Sequence, residues 1–212
     1  MKKYKQNDFD AVARYYDRLA EFVFGDELRK AQVHFLNRIT TARNVLVLGG
    51  GTGWFLAELR AINTDCKIMY VESSPKMLEL SKKRISDHHN IHFLHGTEHD
   101  FPQGQIFDAV VTNFYFDLFD EPTLEKVVFK ICSHLEPGAV WLATDFTNST
   151  NLKHRFLLRT MYWFFRMSSN IQAKKLPPWQ DQLLQHASMP VEMKNFENGF
   201  ICSSLARYKP AT

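Results

Sequence analysis

Cysteine is scarce in this chain of 212 residues. Cys66, Cys132 and Cys202 are odd in number and far apart, which leaves neither a disulfide framework nor the paired spacing of a zinc site. An excess of charge of one sign is missing as well. Twenty-six basic residues against 23 acidic ones leave a net +3, too little to imply a nucleic-acid partner, so small-molecule chemistry is the expectation. No run reaches the roughly 18 apolar residues a membrane span requires. The start, Met1-Lys2-Lys3-Tyr4-Lys5-Gln6, is basic but lacks the apolar core of a secretory signal. A soluble, cytoplasmic protein is therefore expected. Internal repeats and low-complexity tracts are absent, and the length suits one well-buried domain rather than two.

What is present is a junction. Val45-Leu46-Val47-Leu48 runs directly into Gly49-Gly50-Gly51-Thr52-Gly53. A strand apolar on both faces belongs in a parallel sheet covered by helices. The glycines permit a tight turn into the next helix and let a ligand approach bare backbone. That helix starts near Trp54, with Phe55, Leu56, Leu59 and Ile62 at helical spacing. Trp54 stands where a dinucleotide fingerprint needs its third glycine. No Gly-Lys-Ser/Thr follows, so a phosphate-cradling P-loop is excluded too.

The rest alternates strand and helix. Residues from about Phe9 to Ile39 read as two helices separated by Gly25-Asp26, with Val12, Tyr16, Leu19 and Val23 on one stripe, and residues 1–42 form a helical cap. Strands are expected at Lys67 to Glu72, Ile91 to Leu94, Asp108 to Thr112 and Ala139 to Thr144, the last after a Pro137-Gly138 turn. Helices are expected from Ser74-Pro75 to Arg84 and from Pro122 to Leu135. Val191 to Phe196 and Phe200 to Tyr208 make a hairpin around Asn198-Gly199. Residues 151–189 break the rhythm with the aromatic run Met161-Tyr162-Trp163-Phe164-Phe165 and with Leu176-Pro177-Pro178-Trp179, an insertion placed to cover a site. The fold class is α/β, a single domain over residues 1–212.

The spacing Gly49-x-Gly51-x-Gly53 resembles motif I of the class I S-adenosylmethionine-dependent methyltransferases, with Val47 where the family has an acidic residue. The resemblance implies a Rossmann-like sheet of seven mostly parallel strands with helices on both faces and a C-terminal β-hairpin. It also implies S-adenosylmethionine as cofactor and S-adenosylhomocysteine as product. Gly49, Gly51, Thr52 and Gly53 would form the cofactor loop. Glu72, ending the second strand, suits the acceptance of hydrogen bonds from ribose hydroxyls, with Ser73 beside it. Met77 reads either as an apolar contact to adenine or as core at helical spacing. Gly96-Thr97-Glu98 stands where the family commonly has Gly-Asp-Ala, so Thr97 or Glu98 would meet the adenine amino group. Asn113 falls at the fourth strand end, beside the methionine moiety. Val12 to Leu19 with Phe24-Gly25 resembles the Tyr-Asp signature of the ubiquinone and menaquinone biosynthesis methyltransferases, in which the tyrosine closes over the cofactor; that role falls to Tyr16.

Methyl transfer from a sulfonium needs alignment of the acceptor more than a dedicated catalytic group. Where an acceptor must lose a proton, His99, Tyr115, Asp117 and His154 are the candidates, unranked. Phe114 to Phe119 is aromatic enough either to pack under a helix or to line an acceptor pocket. His92 and His95 fall on opposite faces of a strand, which argues against a metal site. Arg155, Arg159 and Arg166 share one helix stripe: a solvated face, or contact with an acidic substrate or a membrane surface. Three functions follow: methyl transfer to a small, apolar or aromatic acceptor, cofactor binding without transferase activity, and nicotinamide redox chemistry, which Trp54 disfavours.

Overall fold

The computed structural model describes residues 10, 13, 15–169, 173 and 175–210, apart from the side chains of residues 16, 164–169 and 189. A seven-stranded sheet forms the centre, in the order β3-β2-β1-β4-β5-β7-β6. Its strands are β1 (Asn44–Leu48), β2 (Lys67–Glu72), β3 (Ile91–His95), β4 (Phe107–Asn113), β5 (Leu135–Phe146), β6 (Ala187–Phe196) and β7 (Ile201–Tyr208). The first five pair in parallel, and β7 runs antiparallel to both β5 and β6.

Strand periodicity explains the two cores. Along β1, Val45 and Val47 point to one face and pack with Phe55, Leu56 and Leu59 of α3 (Trp54–Ile62) and Leu78 of α4 (Pro75–Arg84). Leu46 and Leu48 point to the other face, with Leu124, Val127 and Ile131 of α5 (Glu121–Cys132) and Trp179 and Leu183 of α7 (Trp179–Gln185). Because both faces are covered, the central strands read as unbroken aliphatic runs. A third apolar cluster gathers Phe24 of α1 (Tyr16–Phe24), Ala31 of α2 (Glu27–Val33) and Tyr162 of α6 (Leu152–Ser169) around Phe146 and Phe200.

Several boundaries differ from the sequence expectation. The second helix stops at Val33 and gives way to a 3₁₀ turn over Leu36–Ile39. Leu135 is not helical; it opens β5, pairing with Phe107 ahead of a register shift, so the strand runs through Pro137-Gly138. β6 begins at Ala187, inside the segment expected to be insertion. It lies at the sheet edge, where Pro190 removes no ladder bond that a neighbour needs. The hairpin turn is a 3₁₀ turn over Glu197–Gly199, all three residues with positive φ. Val12 and Phe9 lie outside the described residues. Among the described residues no helix is long and apolar enough to cross a membrane.

Candidate functional site

The strand order reverses between β1 and β4, and ligands in open α/β sheets bind outside the carboxyl ends of strands at such a point. A cavity of about 1640 Å³ opens there. Single small-molecule pockets run to about 300–1,000 Å³, so this one has room for two ligands side by side. Its wall brings together Gly49, Gly51 and Thr52 after β1, Glu72, Ser73 and Met77 around the end of β2, Gly96, Thr97 and Glu98 after β3, and Asn113 ending β4. These residues come from distant parts of the sequence, and the fold gathers them on one surface. Gly53 is absent from the wall. A Cβ there would sit 2.7 Å from the Ser81 backbone, so Gly53 serves the contact of α3 with α4. The side chain of Tyr16 lies outside the described residues.

The glycine loop is fixed from behind by β2. Glu72, 4 % exposed, accepts the Gly51 N–H through Oε2 at 2.8 Å and the Ser74 N–H through Oε1 at 2.7 Å. Ser73 donates its hydroxyl to the same carboxylate at 3.4 Å. Burial raises the Glu72 carboxyl above its ordinary value, and those backbone donors oppose the rise. The Tyr70 hydroxyl donates to the Gly51 carbonyl at 3.0 Å. Gly51 itself has φ +64° and open space where a side chain would stand. This is bare backbone beside a buried carboxylate.

Elsewhere on the wall, Thr97 caps a 3₁₀ turn over Glu98–Asp100: its hydroxyl accepts the His99 N–H at 3.3 Å and its own N–H donates to Asp100 at 2.8 Å. Glu98 is buried and accepts the Tyr115 hydroxyl at 2.6 Å, with His99 Nε2 at 3.1 Å from its other oxygen. Met77 is both wall and core. Asn113 has neither amide atom hydrogen-bonded among the described residues although both are buried. Leu19 and Val23, which share a stripe of α1, face the cavity and remain partly exposed. The aromatic segment is split: Phe114 and Phe119 line the cavity, whereas Phe116 packs on Trp141 and Trp179. From α6, Leu157, Met161 and Trp163 reach the wall.

The four proton acceptors now separate. His154 does not line the cavity; its Nδ1 lies 2.9 Å from the Ser149 hydroxyl and its ring stacks on Phe200. Tyr115 is committed to Glu98, and burial with that neighbouring carboxylate pushes its hydroxyl far upward. His99 and Asp117 remain on the wall. Asp117 neighbours Asp145, the penultimate residue of β5, which accepts the N–H groups of Phe116 (2.9 Å), Asp117 (3.2 Å) and Phe146 (2.7 Å). Burial pushes Asp117 up to about 7 from 3.8. Burial, and then Asp117, raise Asp145 as well. Both groups bind protons more readily in the folded chain than in the unfolded one; the contribution of Asp117 to stability is full below about pH 4 and is lost as pH rises through about 7. Asp117→Asn is therefore expected to melt above the parent protein by a margin that widens from about pH 5 to about pH 8. Calorimetric melting in the absence of ligand checks this; a margin independent of pH counts against it.

Asp17 went unassigned in the sequence. Its carboxylate accepts the Thr52 hydroxyl at 2.7 Å and Arg84 Nη2 at 2.6 Å, tying α1 to the glycine loop and to the end of α4. Asp10 does the same at the start of α4, accepting the Ser74 hydroxyl at 2.6 Å and the Lys76 N–H at 3.1 Å. Asp17→Ala is expected to cost about 1 kcal/mol, since the group is partly exposed. The amides of α1 should then exchange faster while those of β1 do not; unchanged exchange in α1 would show that the clasp contributes nothing.

Residues 45–138 match the family described as Methyltransferase domain. Among curated proteins the chain is 31% identical over 112 residues to a malonyl-[acyl-carrier protein] O-methyltransferase of Halalkalibacterium halodurans, covering 51% of this chain and 41% of that one. It is 32% identical over 124 residues to a demethylmenaquinone methyltransferase of Thermotoga maritima, covering 57% and 52%. The chain thus spans about half the length of these relatives. Among solved structures, DhpI in complex with SAH superposes with a TM-score of 0.70 at 16% identity, covering 96% of this chain and 94% of that one. With the strand order and the glycine loop, these likenesses agree: residues 45–138 match the methyltransferase domain family, and the chain has the fold of its solved methyltransferase neighbours.

Proposed function

We propose that this protein transfers a methyl group from S-adenosylmethionine to a small acceptor with an apolar or aromatic body. The observation that carries this reading is the open backbone at Gly51 beside the buried Glu72 carboxylate. The donor set fits the cofactor: Gly49, Gly51 and Thr52 offer backbone, Glu72 and Ser73 offer acceptors for a ribose diol, and Met77 offers an apolar face for a purine. Glu98 supplies a carboxylate for its amino group. Asn113 brings an amide in want of partners, suited to the amino acid end. When bound, S-adenosylmethionine supplies an electrophilic methyl group. The chain's residues have to align the acceptor and exclude water.

The same wall also carries an apolar lining of Phe114, Phe119, Phe146, Met161 and Trp163. It supports assigning residues 151–189 to the cover of the acceptor and residues 1–42 to a cap over the cofactor. The three buried free thiols suit a reducing compartment such as the cytoplasm. Titration calorimetry with S-adenosylmethionine and S-adenosylhomocysteine tests the cofactor: saturable heat at micromolar to low millimolar ligand is expected, and none would sink the reading. Binding without methyl transfer across phenols, amines and quinones would favour the alternative, a cofactor-binding protein that lacks transferase activity. That alternative draws on Val47 and Thr97 at two positions where the family commonly has an acidic residue, the Thr97 hydroxyl being engaged in capping.

A further inference from the structure

Among the apolar residues of the cavity wall stands a carboxyl group with one oxygen that has no hydrogen bond among the described residues. Asp117 is 8 % exposed and lines the cavity, and its Oδ1 has no hydrogen bond among the described residues. The residue is held from two directions. Asp145 of β5 accepts its N–H at 3.2 Å, and the Tyr162 hydroxyl of α6 donates to its carbonyl at 3.3 Å. The same cavity wall carries Phe114, Leu118, Phe119, Phe146 and Met161. A buried carboxyl group short of partners is costly to keep, and here the backbone carrying it is fixed, so a donor brought by a ligand would lower that cost.

We propose that the Asp117 carboxylate accepts a hydrogen bond from a neutral hydroxyl on an aromatic acceptor and takes its proton during methyl transfer, so that the site selects phenol-type acceptors and rejects carboxylates. This rests on the methyl-transfer reading above. In the step, the acceptor oxygen forms a bond to the methyl carbon while the carbon–sulfur bond breaks with its electron pair left on sulfur, and the hydroxyl proton passes to Asp117. A sulfonium, a neutral phenol and a carboxylate become a thioether, a methyl ether and a carboxylic acid, and charge balances. Asp117 then returns the proton to solvent. A carboxylate acceptor needs no base and would meet the charge of Asp117 in an apolar surround.

Burial raises Asp117; the titratable groups that face it are Asp145 from β5 and the Tyr162 hydroxyl from α6, and the Tyr115 and Glu98 pair shares the wall. With Asp117 titrating at about 7, the site is charged on one side of neutrality and neutral on the other.

The test compares 1-naphthol with 1-naphthoate, two probes of one shape whose own protonation states do not change between about pH 6 and about pH 8. Each is titrated into the protein saturated with S-adenosylhomocysteine. At about pH 8 the parent protein is expected to bind the naphthol at least about tenfold more tightly. That preference should shrink toward about pH 6, and in Asp117→Asn the ratio should not depend on pH. Equal affinities for the two probes, a ratio flat with pH in the parent protein, or no naphthol binding would each overturn the proposal. The parent protein's pH series alone decides the matter if the variant does not fold. Should S-adenosylhomocysteine itself fail to bind, the methyl-transfer reading falls, and the same ratio measured without it still decides the role of Asp117.

Discussion

Glu72→Ala is expected to weaken S-adenosylhomocysteine binding by about a hundredfold or more. Two effects add. The carboxylate is a buried acceptor on the cavity wall, and a hydrogen bond to a charged group contributes about 1.5–3 kcal/mol, so losing two toward a ribose diol alone would reach that range. It also fastens the Gly51 and Ser74 N–H groups at 2.8 and 2.7 Å, which the substitution would orphan. Glu72→Gln keeps one carbonyl oxygen and the side-chain shape but turns the other acceptor into a donor, so an intermediate loss is expected. Isothermal titration with S-adenosylhomocysteine, alongside melting temperatures, separates loss of binding from loss of fold. A folded Glu72→Ala with unchanged affinity would remove Glu72 from the ribose role.

Those parts of the fold whose cause is local could be read from the sequence. β1 is announced by four aliphatic residues, because both its faces are covered. The bounds Lys67–Glu72 and Pro75–Arg84 come out as expected, since Ser74 caps α4 through the Met77 N–H at 3.1 Å and Pro75 fits its first turn. The start of β5 could not be read in this way. Pro137-Gly138 has the local chemistry of a turn, and only pairing of Leu135 with Phe107 makes the segment a strand. Pro190 hides the start of β6, Ala187 to Pro190, for a related reason: a strand at the edge tolerates what a central one does not.

In the site, strand ends pointed to Glu72 and Asn113, but the expected fifth strand stopped at Thr144, one residue short of Asp145. The pairs Tyr115 with Glu98 and Asp17 with Thr52 join loops or helices through side chains alone, and no periodicity records such contacts. Asp17 did carry a signal, as the second member of the Tyr-Asp signature. Gly53 was counted with the cofactor loop on spacing, yet its neighbour is Ser81.

That last distinction gives a paired prediction. Gly53→Ala is expected to lower stability by about 2–5 kcal/mol, combining the cost of left-handed backbone for a residue with a Cβ, about 1–2 kcal/mol, with about 1–3 kcal/mol of overpacking. The overpacking follows from geometry: at φ +85° the new methyl would stand 2.7 Å from the Cα of Ser81, where backbone and not a flexible chain end must yield. A chain of this length should then melt roughly 4–20 °C lower. Gly51→Ala has a comparable left-handed conformation at φ +64° but meets no atom within 4 Å, so only the conformational cost of about 1–2 kcal/mol applies. Its methyl instead stands on the cavity wall, where S-adenosylhomocysteine affinity should fall by about tenfold or more if backbone there must meet the ligand directly. Thermal denaturation and calorimetry on both variants separate the roles. Equal loss of stability in the two would show that space at Ser81 does not matter, and full affinity in Gly51→Ala would move the cofactor away from the backbone of this loop.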